Sequence, residues 1–261
     1  MPNIKDWLHR VDEAKRKLKR YPPLSEGAIY RFRQEFRVLH TYDSNAIEGS
    51  PLSLRETALL LNDGLAVAGR PMSNAMATLG YAMGIDAIFD ETNANVQLSE
   101  ELIKDFHKFV SLGMNPKHCG IYRNTEVQIA GSSTQRPDFG LVPYLIRELV
   151  QWWEKDAKLL HPVEAIAQFH CRYEDIHPFI DGNGRSGRLL LNYQLVRAGY
   201  WPVNIRYAEE RLRYYDAFEA WDTKKDLTSM VALIAEREIA QLKQCTEIAV
   251  AQDQYAQAQS N

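Results

Sequence analysis

The sequence predicts an all-α protein, a multi-helix bundle around one central helix, with a single β-hairpin as its only extended part. Three observations lead there. Apolar residues recur at helical spacing along most of the chain. The run from Leu189 to Ala198 is apolar on nearly every side, as a helix buried among others must be. Only Ile121 to Pro143 alternates apolar and polar residues in the manner of a strand, at Val127 and Ile129, before Gly, Ser and Pro. At 261 residues, with 45% hydrophobic and 25% charged residues, the chain can bury a sizeable core of ordinary soluble composition.

Taken in order, Asn3 to Lys19 carries Ile4, Leu8, Val11, Ala14 and Leu18 at helical spacing, and Pro22-Pro23 ends that helix. A second helix is expected from Ser25 to His40, then a short polar turn of helix over 43–49. Ser53-Leu-Arg-Glu56 is a capping box for a helix that Asp63-Gly64 stops. From Ser73, Met76, Leu79, Met83, Ile85 and Ile88 read as a packing face, and the small residues among them suggest close helix contact. Ser99 to Val110 is amphipathic. Pro143 to Lys155 follows, and His161-Pro162 opens the helix that leads to His177. Gly199 and Pro202 end the central helix. Glu209 to Trp221 is expected to pack through Leu212, Tyr215, Phe218 and Trp221. Asp226 to Thr246 makes a last helix, with Ala251 to Asn261 frayed.

The stretch with the densest chemistry is His177-Pro-Phe-Ile-Asp-Gly-Asn-Gly-Arg-Ser-Gly-Arg188. Gly182 and Gly184 permit backbone conformations that a Cβ resists, and such a turn at a helix N-terminus presents N–H groups that attract anions. Arg185 and Arg188 fall in the first helical turn, where the macrodipole disfavours cations. Two arginines there imply a bound anion, which guanidinium groups can grip bidentately. Asp181 fits a Mg²⁺ shared with substrate phosphates, and His177 supplies a base near neutral pH.

That string resembles the Fic family signature, HPFx[D/E]GNGRxxR, at every fixed position. Upstream, Ser44-Asn-Ala-Ile-Glu48-Gly49 is by itself only a polar helical turn with a Gly stop. It resembles the family's inhibitory motif, [S/T]xxxE[G/N], in the position before the core that marks the second class. The resemblance implies that Glu48 pairs with Arg188 and displaces the terminal phosphate of ATP. It also implies that the flap bearing Val127, Gln128 and Ile129 registers an extended target segment by strand addition. The family holds adenine with an aromatic near Tyr215 and often an Asn near Asp222; this chain has Asp at that point.

The expected reaction is transfer of AMP from ATP, with Mg²⁺ on Asp181, to a Tyr, Thr or Ser hydroxyl of a target protein. The backbone of Gly182, Asn183 and Gly184, with Arg185 and Arg188, would hold the phosphates, and His177 would accept the hydroxyl proton. A hydrolase removing AMP, a different phosphate-containing donor, and a nucleotide-sensing interaction module are the alternatives. The organisation expected is N-terminal helices over 1–40, a Fic core over 41–225 and a C-terminal helix and tail over 226–261. A net charge of -3 and a pI near 6.2 argue against nucleic acid as partner. No apolar run reaches a membrane span, and the N-terminus lacks a signal core. Three scattered cysteines fit a reduced cytoplasmic protein. Self-modification and a homodimer are left open.

Overall fold

Local signals set most helix ends in the computed structural model, which describes residues 3–66, 68–90, 92, 96–128 and 134–259. Asn3 and Asp6 form a capping box on α1 (Ile4–Leu18), and Ser53 with Glu56 does the same for α3 (Leu54–Asp63), which Gly64 ends at φ 68°. Ser99 caps α5 (Glu100–Val110). Each cap supplies an acceptor to N–H groups that the helix itself cannot satisfy. The remaining long helices are α2 (Glu26–Ile47), α4 (Met72–Phe89), α6 (Val142–Lys155), α7 (Pro162–Ile176), α8 (Asn183–Arg197), α9 (Tyr207–Lys224) and α10 (Thr228–Gln259). None among the described residues is long and apolar enough to cross a membrane.

Helix α8 is the axis, and its burial on all sides explains its apolar composition. Leu191 and Leu195 face a core shared with Trp7 and Val11 of α1, Ile166 of α7, Ala217 of α9 and Ile234 of α10. Leu189, Leu190 and Tyr193 face a second core with Tyr81 and Ile85 of α4, Phe106 of α5, Ile146 of α6 and Phe169 of α7. Helices α7 and α8 therefore divide and join both cores. The loop between them, residues 177–182, is held at both ends by buried helices.

Several expectations are corrected. The helix expected to stop at His40 runs on to Ile47, because no Gly or Pro interrupts residues 28–48 and His40 bonds through its ring to Tyr81. On α4, Met76, Leu79 and Met83 are exposed, and Tyr81, Ala82, Ile85 and Ile88 form the core face. The close contact read from small residues is made by Gly80 and Gly84, where a Cβ would collide with the Phe109 carbonyl and with Leu189. On α9, Leu212 and Tyr215 are exposed, and Tyr214 and Ala217 take the buried places. The tail expected to fray is helical through Gln259. Among the described residues no strand occurs. Residues 121–128 and 134–138 are irregular, so the expected hairpin has no paired strand there, and Ile129 lies outside the described residues.

Candidate active site

His177 ends α7 in a left-handed conformation, φ 50° and ψ 62°, uncommon for a residue with a Cβ. Its N–H still donates to Tyr173 O at 3.0 Å, so the turn of chain is sharp but bonded. Five residues later Gly182, at φ 83°, starts α8. Between them Asn183 fastens the loop to itself: Phe179 N–H donates to Asn183 Oδ1 at 2.8 Å, and Asn183 Nδ2 donates to Phe179 O at 2.8 Å. The first turn of α8 is thereby fixed with its N–H groups at the loop's mouth, where an anion is favoured.

A cleft of about 660 Å³ opens there, with Glu48, Arg136, Glu174, His177, Gly184 and Arg188 on one side and Tyr214, Tyr215, Phe218 and Asp222 of α9 on the other. Glu48, just past the end of α2, lies in the cleft at the N-terminal end of α8. Arg188 Nη2 donates to Glu48 Oε1 at 2.8 Å and to Ser44 O at 3.0 Å, and Nε donates to Ser44 Oγ at 2.7 Å. A Cβ on Gly184 would strike Glu48 Oε1. The carboxylate thus rests on Gly184 in the first turn of α8, the position that loop geometry prepares for an anion. Gly49, at φ 85°, turns the chain away directly after it.

The structure separates the two arginines expected on one face. Arg188 lines the cleft. Arg185 turns aside, with Nη2 on Asp181 Oδ1 at 3.2 Å and Nη1 on Val110 O at 3.4 Å. Asp181 keeps its side chain exposed, and its Oδ1 also accepts from Gly182 N–H. Tyr215 lines the cleft and its hydroxyl donates to Ile47 O at 3.2 Å. Asp222 lines it too and accepts from Arg136 Nη2 at 2.7 Å. Val127 and Gln128 are described but do not line it.

Electrostatics within the cleft are set mainly by burial. His177 is held down to about 4, by burial first and then by Arg136 and Arg123, so it is neutral at pH 7 with a lone pair available. Glu174, whose Oε2 is 3.7 Å from His177 Nδ1, is raised to about 8 by burial against the pull of Arg188. It is largely protonated at pH 7.

Sequence reasoning missed several contributors. His107 of α5 accepts from Gly120 N–H through Nδ1 at 2.9 Å, so Nε2 carries the proton and donates to Asp181 O at 2.9 Å. Its ring stacks on Phe179 at 3.6 Å. Asp43 accepts from Tyr207 N–H and from Asn204 Nδ2 at the start of α9, which ties the Ser44–Glu48 turn to the opposite wall. Arg136 reaches Asp175 and Asp222. Glu174 did leave a signal, since an acid in the last turn of a helix opposes the macrodipole. The others depend on contacts between distant segments that no local pattern carries.

Fold and site together define an all-helical protein with an anion-binding helix N-terminus, a neutral histidine beside it and a carboxylate lodged on its arginine. A family model described as Fic/DOC family matches residues 97–195. Protein adenylyltransferase Fic of Drosophila melanogaster is 32% identical over 213 residues, 81% of this chain and 42% of its own length. The protein of the same name in Aedes aegypti is 33% identical over 215 residues, 80% of this chain and 42% of its own. A solved structure of a Fic domain containing signaling protein from Bacteroides thetaiotaomicron, 26% identical, aligns with a TM-score of 0.81 over 93% of this chain and 97% of that one. The chain belongs to the Fic/DOC family. It spans less than half the length of the curated relatives it matches.

Proposed function

We propose that this chain is a protein adenylyltransferase of the second Fic class, restrained by Glu48. The observation that carries the proposal is the Glu48 carboxylate on Arg188 and against Gly184, in the cleft that also holds His177. One anion stands where another is expected. The names of the relatives, protein adenylyltransferase Fic, supply the reaction class.

In this reading the phosphates of ATP lie along the α8 N-terminus against the N–H groups of Gly182, Asn183 and Gly184, and Arg188 takes the terminal phosphate once Glu48 withdraws. Arg185 acts at one remove by orienting Asp181. The neutral His177 accepts the proton of a target Tyr, Thr or Ser hydroxyl as that oxygen bonds to the α-phosphorus and the bond to pyrophosphate breaks. Anionic phosphate beside the imidazole raises its basicity from the low value that burial sets, since negative charge favours the imidazolium. Positioning and charge neutralisation carry most of such chemistry.

Mg²⁺ fits the residues present. Asp181 Oδ1 is engaged by Gly182 and Arg185, and its exposed carboxylate is the hard oxygen donor this ion takes together with phosphates and water. The ion would neutralise phosphate charge when bound. Tyr215 and Asp222 form the wall on which the adenine rests, with Asp222 oriented by Arg136. Val127 and Gln128 belong to the target-docking stretch. The catalytic unit spans 41–225, and α1 and α10 pack on each other outside it. Free Cys119, Cys171 and Cys245 fit the reducing cytoplasm.

The test is intact mass after incubation with ATP and Mg²⁺, alone and with host lysate proteins. Glu48→Gly is expected to gain AMP-sized increments on itself or on lysate proteins that the parent shows weakly. Adding His177→Ala to it removes the increments and leaves ATP binding in place. Loss of AMP from a pre-modified substrate, with no increment in any variant, would assign the site to hydrolysis instead.

A further inference from the structure

The stretch between α5 and α6 leaves and rejoins the helical body beside His177, and one side chain holds both points. Arg123 is fully enclosed, with 0% of its side chain exposed. Its Nε donates to His177 O at 2.9 Å, its Nη1 to Thr125 O at 3.1 Å and its Nη2 to Pro137 O at 2.5 Å, with Ile176 O at 3.5 Å. Its own backbone N–H donates to Pro178 O at 2.9 Å. One guanidinium therefore contacts four carbonyls, two at the end of α7 and two on the stretch that carries Thr134 and Arg136 into the cleft.

The location has a physical logic. A helix C-terminus leaves its last carbonyls without intrahelical partners, and a cation there is favoured by the macrodipole. His177, at φ 50°, occupies a conformation that is unfavourable for a residue with a Cβ, so it persists only while its surroundings hold it. Arg123 supplies that hold through the carbonyl of His177 itself. The planar fork of an arginine suits several fixed carbonyls at once; an ammonium does not.

We infer that Arg123 is a positioning residue of the transfer reaction: it fixes the His177 imidazole and, through Thr125 and Pro137, sets the chain beside the cleft at a constant distance from it. The inference rests on the adenylyltransferase reading above. Arg123 touches no reacting atom, and its effect passes entirely through His177 and the two carbonyls.

Charge supplies a readout that a simple brace lacks. The groups facing His177 are Glu174 of α7, Arg136 and Arg123 of the connecting stretch, and Glu48 after α2. Burial and the two arginines hold the imidazole's basicity down; the Glu174 hydrogen bond and the Glu48 charge oppose them. Removing Arg123 takes away one of the lowering charges, so the basicity of His177 rises.

The experiment places Arg123→Ala and Arg123→Lys separately in the Glu48→Gly background and follows label from α-labelled ATP into protein across pH, beside ATP affinity by calorimetry and thermal unfolding. Displacement of a catalytic group by an ångström costs on the order of 10²-fold in rate, and that loss is expected for Arg123→Ala with ATP affinity unchanged. Its acid limb should move to higher pH. Arg123→Lys, or free guanidinium ion added to the alanine variant, should recover part of the rate. Should the alanine variant fail to fold, the lysine variant gives the same comparison of rate with ATP affinity. An unchanged rate and pH profile overturns the inference. So does a fall in ATP affinity parallel to the rate with no recovery by lysine or guanidinium. If Glu48→Gly itself transfers no label, the adenylyltransferase reading fails and the positioning role falls with it.

Discussion

Asn183 shows how much one side chain settles at this site. It is buried and both halves of its amide are in use, Oδ1 on Phe179 N–H and Nδ2 on Phe179 O, each at 2.8 Å. A backbone pair enclosed this way cannot turn to water, so an unmatched donor or acceptor costs about 1–3 kcal/mol. Asn183→Ala is expected to lose stability of that order in urea unfolding with an unchanged slope. Asn183→Asp should lose a comparable amount at pH 7, because a carboxylate accepts from Phe179 N–H but repels Phe179 O. The glycines beside it allow the turn, but Asn183 closes it. The sequence placed Asn183 at the phosphates through its backbone; its side chain proves to be the clasp of the loop, a role visible only once Phe179 is seen opposite. Ser44, Glu48 and Arg188 were legible for a different reason: both motifs are short and resemble those of the Fic family, and that resemblance implies their pairing without knowledge of the path that joins them.

Helices here are read well where their ends are local and poorly where their faces depend on neighbours. The capping box Ser53–Glu56 gave the start of α3, and Asn3 and Ser99, where the helical patterns of α1 and α5 begin, cap those helices in the structure. The face of α4 was misread, since Met76, Leu79 and Met83 satisfy helical spacing as well as the residues actually buried. The real determinant is Gly80, which lets α4 lie against α5. A Cβ there would overlap the carbonyl of Phe109, and backbone cannot rotate away as a side chain can. Replacing Gly by Ala in an exposed helix gains about 1 kcal/mol from propensity, but overpacking costs about 1–3 kcal/mol, so the balance turns against the substitution. Gly80→Ala is expected to lower stability in chemical denaturation, whereas Gly27→Ala in α2, with nothing within 4 Å of an added Cβ, should raise it. The missed contacts of His107, Arg123 and Arg136 share one cause: each joins segments remote in sequence, and no period or motif records such a pairing.

Across the whole molecule, buried titratable groups of two kinds set opposing pH dependences. Burial lowers His40 and His170 to about 3 and His107 and His177 to about 4, from 6.5. The unfolded chain then binds more protons than the folded one below pH 6.5, so stability rises with pH up to that point. Burial raises Glu174 and Glu238 to about 8, from 4.5. For these the folded chain holds the extra protons, and stability falls as pH climbs from 4.5 through 8. Between 4.5 and 6.5 four histidines outweigh two carboxyls and the net slope is upward; above 6.5 the carboxyls act alone. The melting temperature at constant ionic strength is therefore expected to peak near pH 6.5 and decline toward pH 8. A melting temperature that kept rising to pH 8 would mean both carboxyls ionise within the fold. Glu238 allows the descending limb to be isolated, because it does not line the cleft and its Oε1 accepts from Trp201 N–H at 3.0 Å, a contact an amide oxygen can keep. Glu238→Gln should flatten roughly half of the decline between pH 6.5 and 8 and steepen the rise between pH 4.5 and 6.5, where its carboxyl opposes the histidines.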